Sequence, residues 1–167
     1  MDLWWLLVPA SYVLGSFPTA RLVARTSGHD PTVEGSGNPG ASNVYRVAGA
    51  RAGVAVLTGD ILKGFVPAAV ALAAEGRTLA LAVGLAVMVG HIAPFSRLGR
   101  GGKGVATLGG TTIALYPLVA LACITIFGIL LYRFKIPSVG SLAMLVMLPI
   151  GVAIGAGSWG EVGAVSA

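Results

Sequence analysis

Two glycine-rich, basic segments of this chain combine the residue types that bind phosphate. The first segment covers residues 35–46 and the second covers residues 90–107. Glycine lets a backbone approach a ligand closely and turn with positive φ, and successive N–H groups in such turns form anion-binding concavities. Ser, Asn, Arg and Lys side chains add donors for phosphate oxygens. The sequence therefore predicts a phosphate-binding site built from these two segments.

In the first segment the candidate substrate-binding residues are Ser36, Gly37, Asn38, Asn43 and Arg46. The guanidinium of Arg46 can hold a phosphate through two parallel hydrogen bonds. An ordinary polar loop is the alternative, because Gly, Ser, Asn and Pro also mark turns.

In the second segment the candidate substrate-binding residues are Gly101, Gly102, Lys103 and Gly104, and Lys103 is also a candidate catalytic residue. The pattern differs from a P-loop, because Gly104 stands where Ser or Thr should follow the lysine and no strand precedes it; this excludes an NTPase. A helix opening at Gly104 would place its positive end beside Lys103. The alternative, a basic stop after a membrane span, does not require four glycines.

Three further polar residues lie in or beside apolar stretches. His91 directly precedes the second loop, and its role stays open between catalytic base, substrate positioning and structural donor. Asp60 and Lys63 are three residues apart and share one helical face. Ionisable residues within a span usually pair and face the protein interior, so the spacing predicts a structural ion pair; an ion path in a transporter is the alternative.

The composition indicates an integral membrane protein. The chain is 56% hydrophobic and 10% charged, with a mean hydropathy of +0.88, against about 45–50% and about 25% in soluble proteins. The net charge of +5 fits membrane topology and attraction to anionic headgroups or phosphorylated substrates. Aromatic residues do not interleave with basic ones, so we expect no nucleic-acid partner. Carboxylates are few and scattered, so we expect no metal site.

Hydropathy predicts an all-α bundle of about six membrane-spanning helices. They cover residues 3–24, 48–74, 78–92, 104–115, 118–132 and 138–157, with loops at 26–47 and 93–103. The first span is interpreted as retained and not as a signal peptide, and Gly15–Pro18 predicts a kink in it. Nine Lys and Arg residues near span ends fall on one side and one on the other, which predicts cytoplasmic glycine-rich loops and an N-terminus outside.

Taken together, these segments resemble the bacterial acyl-phosphate:glycerol-3-phosphate acyltransferase family, of the PlsY type. The resemblance extends from Tyr12 to about Ser141. Its motifs occur in the family's order: Gly15-Ser-Phe-Pro18, the whole of residues 35–46, Gly59-Asp-Ile-Leu-Lys-Gly64, Gly90-His91 and Gly101-Gly-Lys-Gly-Val-Ala-Thr107.

The resemblance implies a seven-span enzyme of the bacterial inner membrane with its site on the cytoplasmic side and no cofactor. Such an enzyme moves a long-chain fatty acyl group from acyl phosphate to the 1-hydroxyl of glycerol 3-phosphate, which makes lysophosphatidic acid for phospholipid synthesis. By motif, Ser36, Arg46 and Lys103 would bind the phosphate of glycerol 3-phosphate. The glycines of the second segment would hold the acyl-phosphate head, and His91 would lie in the site. The base that accepts the hydroxyl proton stays open between His91 and a substrate phosphate oxygen.

One family feature is not matched. The family ordinarily carries a further span and a motif of the type His-Arg-x-Asn-Ile-x-Arg-Leu, and nothing after Pro137 matches it. We therefore expect residues 1–167 to form a single membrane-embedded acyltransferase domain that is incomplete at its C-terminus. Two alternatives remain: an inactive or truncated relative that binds a phosphorylated substrate, and an organic-phosphate transporter. Acyl-chain preference and oligomeric state also stay open.

Overall fold

The computed structural model describes residues 2–95 and 101–163, with side chains up to Ile154. Every regular element in this part of the chain is helical, which confirms the predicted all-α class. In chain order the elements are a 3-10 helix at Leu3–Leu6, α1 at Leu7–Gly15, α2 at Thr19–Arg25, α3 at Ala41–Glu75, α4 at Arg77–Ile92, α5 at Val105–Leu115, α6 at Pro117–Phe134 and α7 at Pro137–Gly163.

Four helical stretches of the described chain are long and apolar enough to cross a membrane. They are Leu3–Arg25, α3, α6 and the part of α7 from Pro137 to Ile154. Helices α4 and α5 are also apolar but shorter, with 16 and 11 residues. The six apolar stretches expected from hydropathy are therefore all helical, and two of them fall below the length of about 20 residues that a perpendicular span needs.

The first span is broken where the sequence predicts a kink. Helix α1 ends at Gly15 and α2 begins at Thr19, with Pro18 between them. Proline has no N–H to continue the helical ladder. Backbone carbonyls in the break are consequently available to side chains from other helices, and that of Phe17 accepts from Lys63.

Helices α1 and α4 touch along their backbones. A methyl group at Gly15 would overlap the carbonyl oxygen of Val87, and one at Gly90 would overlap that of Tyr12. The Tyr12 hydroxyl also donates to the carbonyl of Ala93 at 3.0 Å. Glycine at positions 15 and 90 thus lets α1 lie close enough to bring its C-terminal end beside His91, at the end of α4.

The start of α3 differs from the sequence prediction. Residues 41–47 were expected in a loop, and they are helical from Ala41 onward. Val44 is fully buried in one cluster with Ala20, Ala24 and Val56, so packing against α2 stabilises a helical turn that hydropathy does not mark. Gly49 (φ 87°, ψ 174°) then interrupts the helical path, which makes α3 two helical pieces joined at a kink.

Helices α3 and α5 also pack through small residues. A methyl group at Gly64 would overlap the carbonyl oxygen of Thr107, and one at Gly110 would overlap that of Ile61. The Thr111 hydroxyl donates to the Gly64 carbonyl at 3.4 Å. This close packing keeps the N-terminal part of α5, where the second segment ends, against the helix that carries Asp60 and Lys63.

The chain divides into two compact units, Met1–Leu115 and Tyr116–Ala167. Within the second unit, α6 and α7 pack where a methyl group at Gly140 would overlap the ring of Phe127. All of the candidate site residues fall in the first unit. The single-domain organisation expected from the sequence stays a prediction.

Candidate active site

Gly101 and Gly102 of the second glycine-rich segment lie over the C-terminal end of α4. The Gly101 N–H donates to the carbonyl of Ile92 at 3.1 Å, and the Gly102 N–H donates to that of His91 at 3.2 Å. The last carbonyls of a helix have no intrahelical donor, and these two glycines satisfy a pair of them. Gly101 must be glycine here, because a methyl group would overlap the carbonyl oxygens of His91 and Ile92.

His91 lies directly beneath Gly102. Its residue is 8% exposed, and a methyl group at Gly102 would overlap Nε2 of the imidazole. The edge of the ring that carries Nε2 therefore faces the backbone of Gly102. Gly104 follows with φ 77°, and its carbonyl accepts from the Leu108 N–H at 2.8 Å as α5 begins.

The ammonium group of Lys63 lies at the centre of a buried polar cluster. Its Nζ is 2.8 Å from Oδ1 of Asp60, 3.2 Å from the carbonyl oxygen of Phe17 and 3.3 Å from Nδ1 of His91. A lysine ammonium carries three protons and accepts nothing, so it donates to the Phe17 carbonyl and to His91 Nδ1 and forms an ion pair with Asp60. The Phe17 carbonyl belongs to the break between α1 and α2.

The contact between Asp60 and Lys63 is the one that their spacing predicts. Nζ and Oδ1 are close, but the contact is not aligned as a hydrogen bond. Asp60 Oδ1 therefore has no hydrogen-bond partner in the described chain. Oδ1 also lies 3.7 Å from Nδ1 of His91. The participation of His91 was not expected from the sequence, where 28 residues separate it from Lys63.

Asn43 holds the first segment in shape. Its Oδ1 accepts from the Ser36 N–H at 2.9 Å, and its Nδ2 donates to the carbonyls of Pro31 at 3.0 Å and Glu34 at 2.9 Å. Gly35 (φ 61°) has no room for a side chain beside this amide. Both amide atoms of Asn43 are engaged within the loop, so Asn43 holds the loop in place, and the direct substrate contact suggested by the sequence stays a prediction.

Several N–H groups of the glycine-rich segments donate to groups within the protein, whereas open anion-binding concavities were expected from the sequence. Those of Ser36 and Gly37 donate to Asn43 Oδ1 and to the Glu34 carbonyl, and those of Gly101 and Gly102 cap α4. Both segments lead instead into the first turns of α3 and α5, where N–H groups have no intrahelical acceptor. These turns can offer backbone donors to an anion where the N–H groups of Gly37, Gly101 and Gly102 are already engaged.

A polar network that the sequence analysis missed braces the loop between α2 and α3. His29 Nδ1 lies 2.8 Å from Glu34 Oε2, and the Asp30 N–H donates to Glu34 Oε1 at 2.7 Å. The N–H and hydroxyl of Thr32 donate to Asp30 Oδ1 at 3.0 and 2.6 Å, and Arg21 lies 3.5 Å from Oδ2. The sequence did carry a signal for this network, namely the close spacing of four polar residues: His29, Asp30, Thr32 and Glu34.

This network shifts two carboxyl groups. Hydrogen bonds from Thr32, with a smaller contribution from Arg21, lower the pKa of Asp30. The backbone N–H of Asp30, followed by His29, lowers the pKa of Glu34. Hydrogen bonding to the charged form of a carboxyl group favours that form, so the loop is braced by two carboxylates that stay ionised.

A cleft in the first unit joins the parts described above. Its described lining consists of Phe17, Pro18, Thr19, Ala20, Pro39, Asp60, Lys63, His91 and Gly102. Pro39 comes from the first segment and Gly102 from the second, so residues on both segments border one space. Of the predicted site residues, the cleft brings together Asp60, Lys63, His91 and Gly102.

The other predicted site residues are not among that described lining. Ser36, Gly37, Arg46 and Lys103 are exposed, next to the two segments that border the cleft. Gly101 lies over the end of α4, and Asn38 adjoins Pro39. The exposed cations can attract a phosphorylated solute, and the described residues hold no cluster of His, Cys, Asp or Glu suited to a metal ion. This arrangement can hold anions.

Comparisons with known proteins agree with one another. A family profile described as glycerol-3-phosphate acyltransferase matches residues 5–166. A protein named glycerol-3-phosphate acyltransferase from Methylococcus capsulatus is 42% identical over 162 residues, which cover 95% of this chain and 81% of the relative. One of the same name from Pseudomonas aeruginosa is 42% identical over 153 residues, covering 87% and 77%.

Solved structures give the same result. Two crystal structures of PlsY (YgiH), an integral membrane glycerol 3-phosphate acyltransferase, superpose on this chain with TM-scores of 0.85 for the glycerol 3-phosphate form and 0.81 for the lysophosphatidic acid form. Their sequences are 35% and 37% identical to it, and each comparison covers 91% of this chain and 78% of the solved one. With the motifs, the fold and the relatives in agreement, this chain belongs to the glycerol-3-phosphate acyltransferase family of integral membrane proteins.

Proposed function

We propose that this chain transfers a fatty acyl group from acyl phosphate to the 1-hydroxyl of glycerol 3-phosphate and so makes lysophosphatidic acid. The family and the names of the relatives support the acyltransferase. The PlsY structures in glycerol 3-phosphate and lysophosphatidic acid forms support the acceptor and the product. The same comparisons favour an enzyme over the organic-phosphate transporter that the Asp60–Lys63 pair had left open.

The observation that carries the proposal is the meeting of both glycine-rich segments at one cleft. Pro39 and Gly102 line it together with His91. An acyltransferase that uses acyl phosphate must hold two phosphorylated substrates side by side, and two adjoining segments of phosphate-binding composition suit that task. The apolar surfaces of the surrounding helices suit the acyl chain, which would lie in the hydrocarbon.

We assign the phosphate of glycerol 3-phosphate to Ser36, Arg46 and Lys103. All three side chains are exposed, and charge-assisted hydrogen bonds from Arg and Lys are the strong ones in phosphate recognition. Gly37 and Asn38 lie in the same segment as Ser36 and Arg46. The head of acyl phosphate is assigned to the second segment, where Gly101, Gly102 and Gly104 keep side chains out of the way and the first turn of α5 offers N–H groups.

The reaction needs no enzyme nucleophile. The hydroxyl oxygen of the acceptor attacks the carbonyl carbon of the mixed anhydride, a new ester C–O bond forms, and the C–O bond to phosphate breaks. Phosphate leaves with the electron pair, and the hydroxyl proton passes to a base. Cations that hold both anions together offset their repulsion, and positioning with electrostatic stabilisation supplies the rate.

We place the enzyme in the bacterial inner membrane with this cleft on the cytoplasmic side. The support is the charge asymmetry, because nine of the Lys and Arg residues near the span ends share the side of the glycine-rich loops and cytoplasmic loops carry the excess of positive charge. Both proposed substrates are then available on the side where the cleft opens.

Acyl transfer by the chain in proteoliposomes tests the proposal. Long-chain acyl phosphate and labelled glycerol 3-phosphate are supplied, with acyl-CoA as the comparison donor and Arg46→Ala as the impaired variant. We expect labelled lysophosphatidic acid from acyl phosphate alone, at a rate reduced by the variant. Transfer from acyl-CoA alone would overturn the donor assignment. No transfer by folded, inserted protein would overturn the proposed activity of this chain.

A further inference from the structure

We propose that Lys63, with Asp60, is a positioning residue that fixes His91 as a neutral imidazole with its proton on Nε2. His91 then faces Gly102 as a hydrogen-bond donor and does not serve as the base. The assignment of a tautomer stands on geometry alone. Its consequence for catalysis rests on the proposed acyl transfer.

The hydrogen-bonding capacity of the two side chains decides the tautomer. Lys63 Nζ lies 3.3 Å from Nδ1 of His91. An ammonium group can only donate, so Nδ1 must present its lone pair. A neutral imidazole carries one proton, which is then on Nε2.

The competing arrangement has poorer geometry. A proton on Nδ1 would have to be directed at Asp60 Oδ1, which is 3.7 Å away and beyond hydrogen-bonding distance. It would also confront the ammonium of Lys63. Since Lys63 is additionally fixed by the Phe17 carbonyl at 3.2 Å, it cannot turn away from the imidazole without losing a second hydrogen bond.

The charges of the cluster also favour a neutral His91. Asp60 and Lys63 are in contact at 2.8 Å, and together with His91 they are at most 8% exposed. One carboxylate therefore compensates one ammonium. A protonated His91 would add a second positive charge beside Nζ, where low exposure makes electrostatic repulsion costly.

The consequence concerns the chemistry at the second segment. With its proton on Nε2, the ring nitrogen that faces Gly102 can donate to an oxygen but cannot accept a proton. Nδ1, the other nitrogen, is occupied by Lys63. His91 is thereby removed from the role of general base and becomes a donor beside the segment that carries Lys103.

Nitrogen-15 NMR of histidine-labelled protein in lipid nanodiscs tests the tautomer directly. The chain has two histidines, and the His29→Gln variant assigns the remaining signals to His91. We expect a non-protonated Nδ1 and a protonated Nε2 at neutral pH. A proton on Nδ1, or a doubly protonated ring, would overturn the proposal. The spectrum does not depend on catalysis, so it decides the tautomer even if no acyl transfer is found.

A charge-matched variant tests the positioning role. Lys63→Met alone leaves a buried carboxylate unpaired, so the double variant Asp60→Asn/Lys63→Met is compared with Leu62→Met, an exposed neighbour on α3. We expect the double variant to lose the pure Nε2–H tautomer and to lower kcat, with little change in KM for glycerol 3-phosphate. An unchanged tautomer in the folded double variant would contradict the role of Lys63.

Discussion

His91 and Gly102 are in direct apposition, because the backbone of Gly102 lies where any side chain would overlap Nε2 of the imidazole. The Gly102 N–H in turn caps the carbonyl of His91 at 3.2 Å. Gly102 thus fixes both the main chain and the ring of the same histidine. This gives glycine at position 102 a steric purpose that is separate from phosphate binding.

The first prediction follows from that apposition. Gly102→Ala should displace the imidazole and lower kcat/KM by about a hundredfold, the lower bound for loss of one preorganised donor. Gly109→Ala, in α5 with open space around its Cα, is the matched control and should keep wild-type activity. Acyl-transfer kinetics with both variants check this. Full activity of Gly102→Ala would show that the ring can move aside without consequence.

The second prediction concerns the exposed cations. Arg46→Ala and Lys103→Ala should each raise KM for glycerol 3-phosphate, with kcat/KM reduced by roughly ten- to a hundredfold, because hydrogen bonds to charged groups contribute about 1.5–3 kcal/mol. Arg51→Ala, which removes another exposed arginine on α3, should have little effect. Saturation curves for glycerol 3-phosphate decide the matter. Unchanged saturation in the first two variants would remove their assigned role.

The third prediction concerns the close packing of α3 and α5. Gly110→Ala should destabilise the protein, since its methyl group would overlap the carbonyl oxygen of Ile61 and overpacking costs about 1–3 kcal/mol. The adjacent Gly109→Ala should be neutral or stabilising by up to about 1 kcal/mol, because alanine has the higher helix propensity. Thermal unfolding in detergent measures both. Equal melting temperatures for the two variants would argue against this packing.

The fourth prediction concerns the loop that carries Ser36. Asn43→Ala removes three hydrogen bonds, each contributing about 0.5–1.5 kcal/mol, and should loosen the loop. We expect faster hydrogen exchange across residues 31–37 and a higher KM for glycerol 3-phosphate, whereas Ser42→Ala at the exposed neighbouring position should change neither. Protection of the loop at the wild-type level in Asn43→Ala would contradict the positioning role of this amide.

The fifth prediction concerns acid. The pKa values of Asp30 and Glu34 are lowered in the folded protein, so their contribution to loop stability is present above the unfolded pKa, about 4, and is lost as the pH falls through the folded values. Limited proteolysis of residues 26–40 should therefore accelerate below about pH 4.

Substitution of Glu34 distinguishes acid-induced loosening of this loop from acid unfolding of the whole protein. Glu34→Gln should weaken the brace at neutral pH and flatten the acid dependence, while Glu75→Gln, at an exposed position at the end of α3, should leave the profile unchanged. A profile in Glu34→Gln identical to the wild type would assign the acid response to other carboxyl groups.

Local patterns in the sequence were sufficient for several of these features. Hydropathy identified the helical stretches, and Pro18 marked the break after α1. The spacing of Asp60 and Lys63 brought them into contact, because residues three apart share a helical face whatever surrounds the helix. Each of these rests on interactions within a few residues.

Other features depend on contacts that no local pattern encodes. The helical start at Ala41 needs Val44 to pack against α2. The meeting of Lys63 with His91 needs α3 and α4 to lie side by side, and the Phe17 carbonyl reaches Lys63 across 46 residues of sequence. The positive φ of Gly49, which divides α3, also lies within a stretch that hydropathy alone treats as continuous.

The amino-acid sequence by itself determined the class of protein and predicted the kind of ligand: a charge-poor, apolar chain resides in a membrane, and two glycine-rich basic segments have a composition that suits phosphate. Only the tertiary structure decided which donors remain for a ligand. Buried polar groups must be satisfied by whatever lies beside them, and helix packing sets those neighbours. The N–H groups of Gly101 and Gly102 therefore cap α4, the amide of Asn43 holds its own loop, and Lys63 is committed to Asp60, Phe17 and His91.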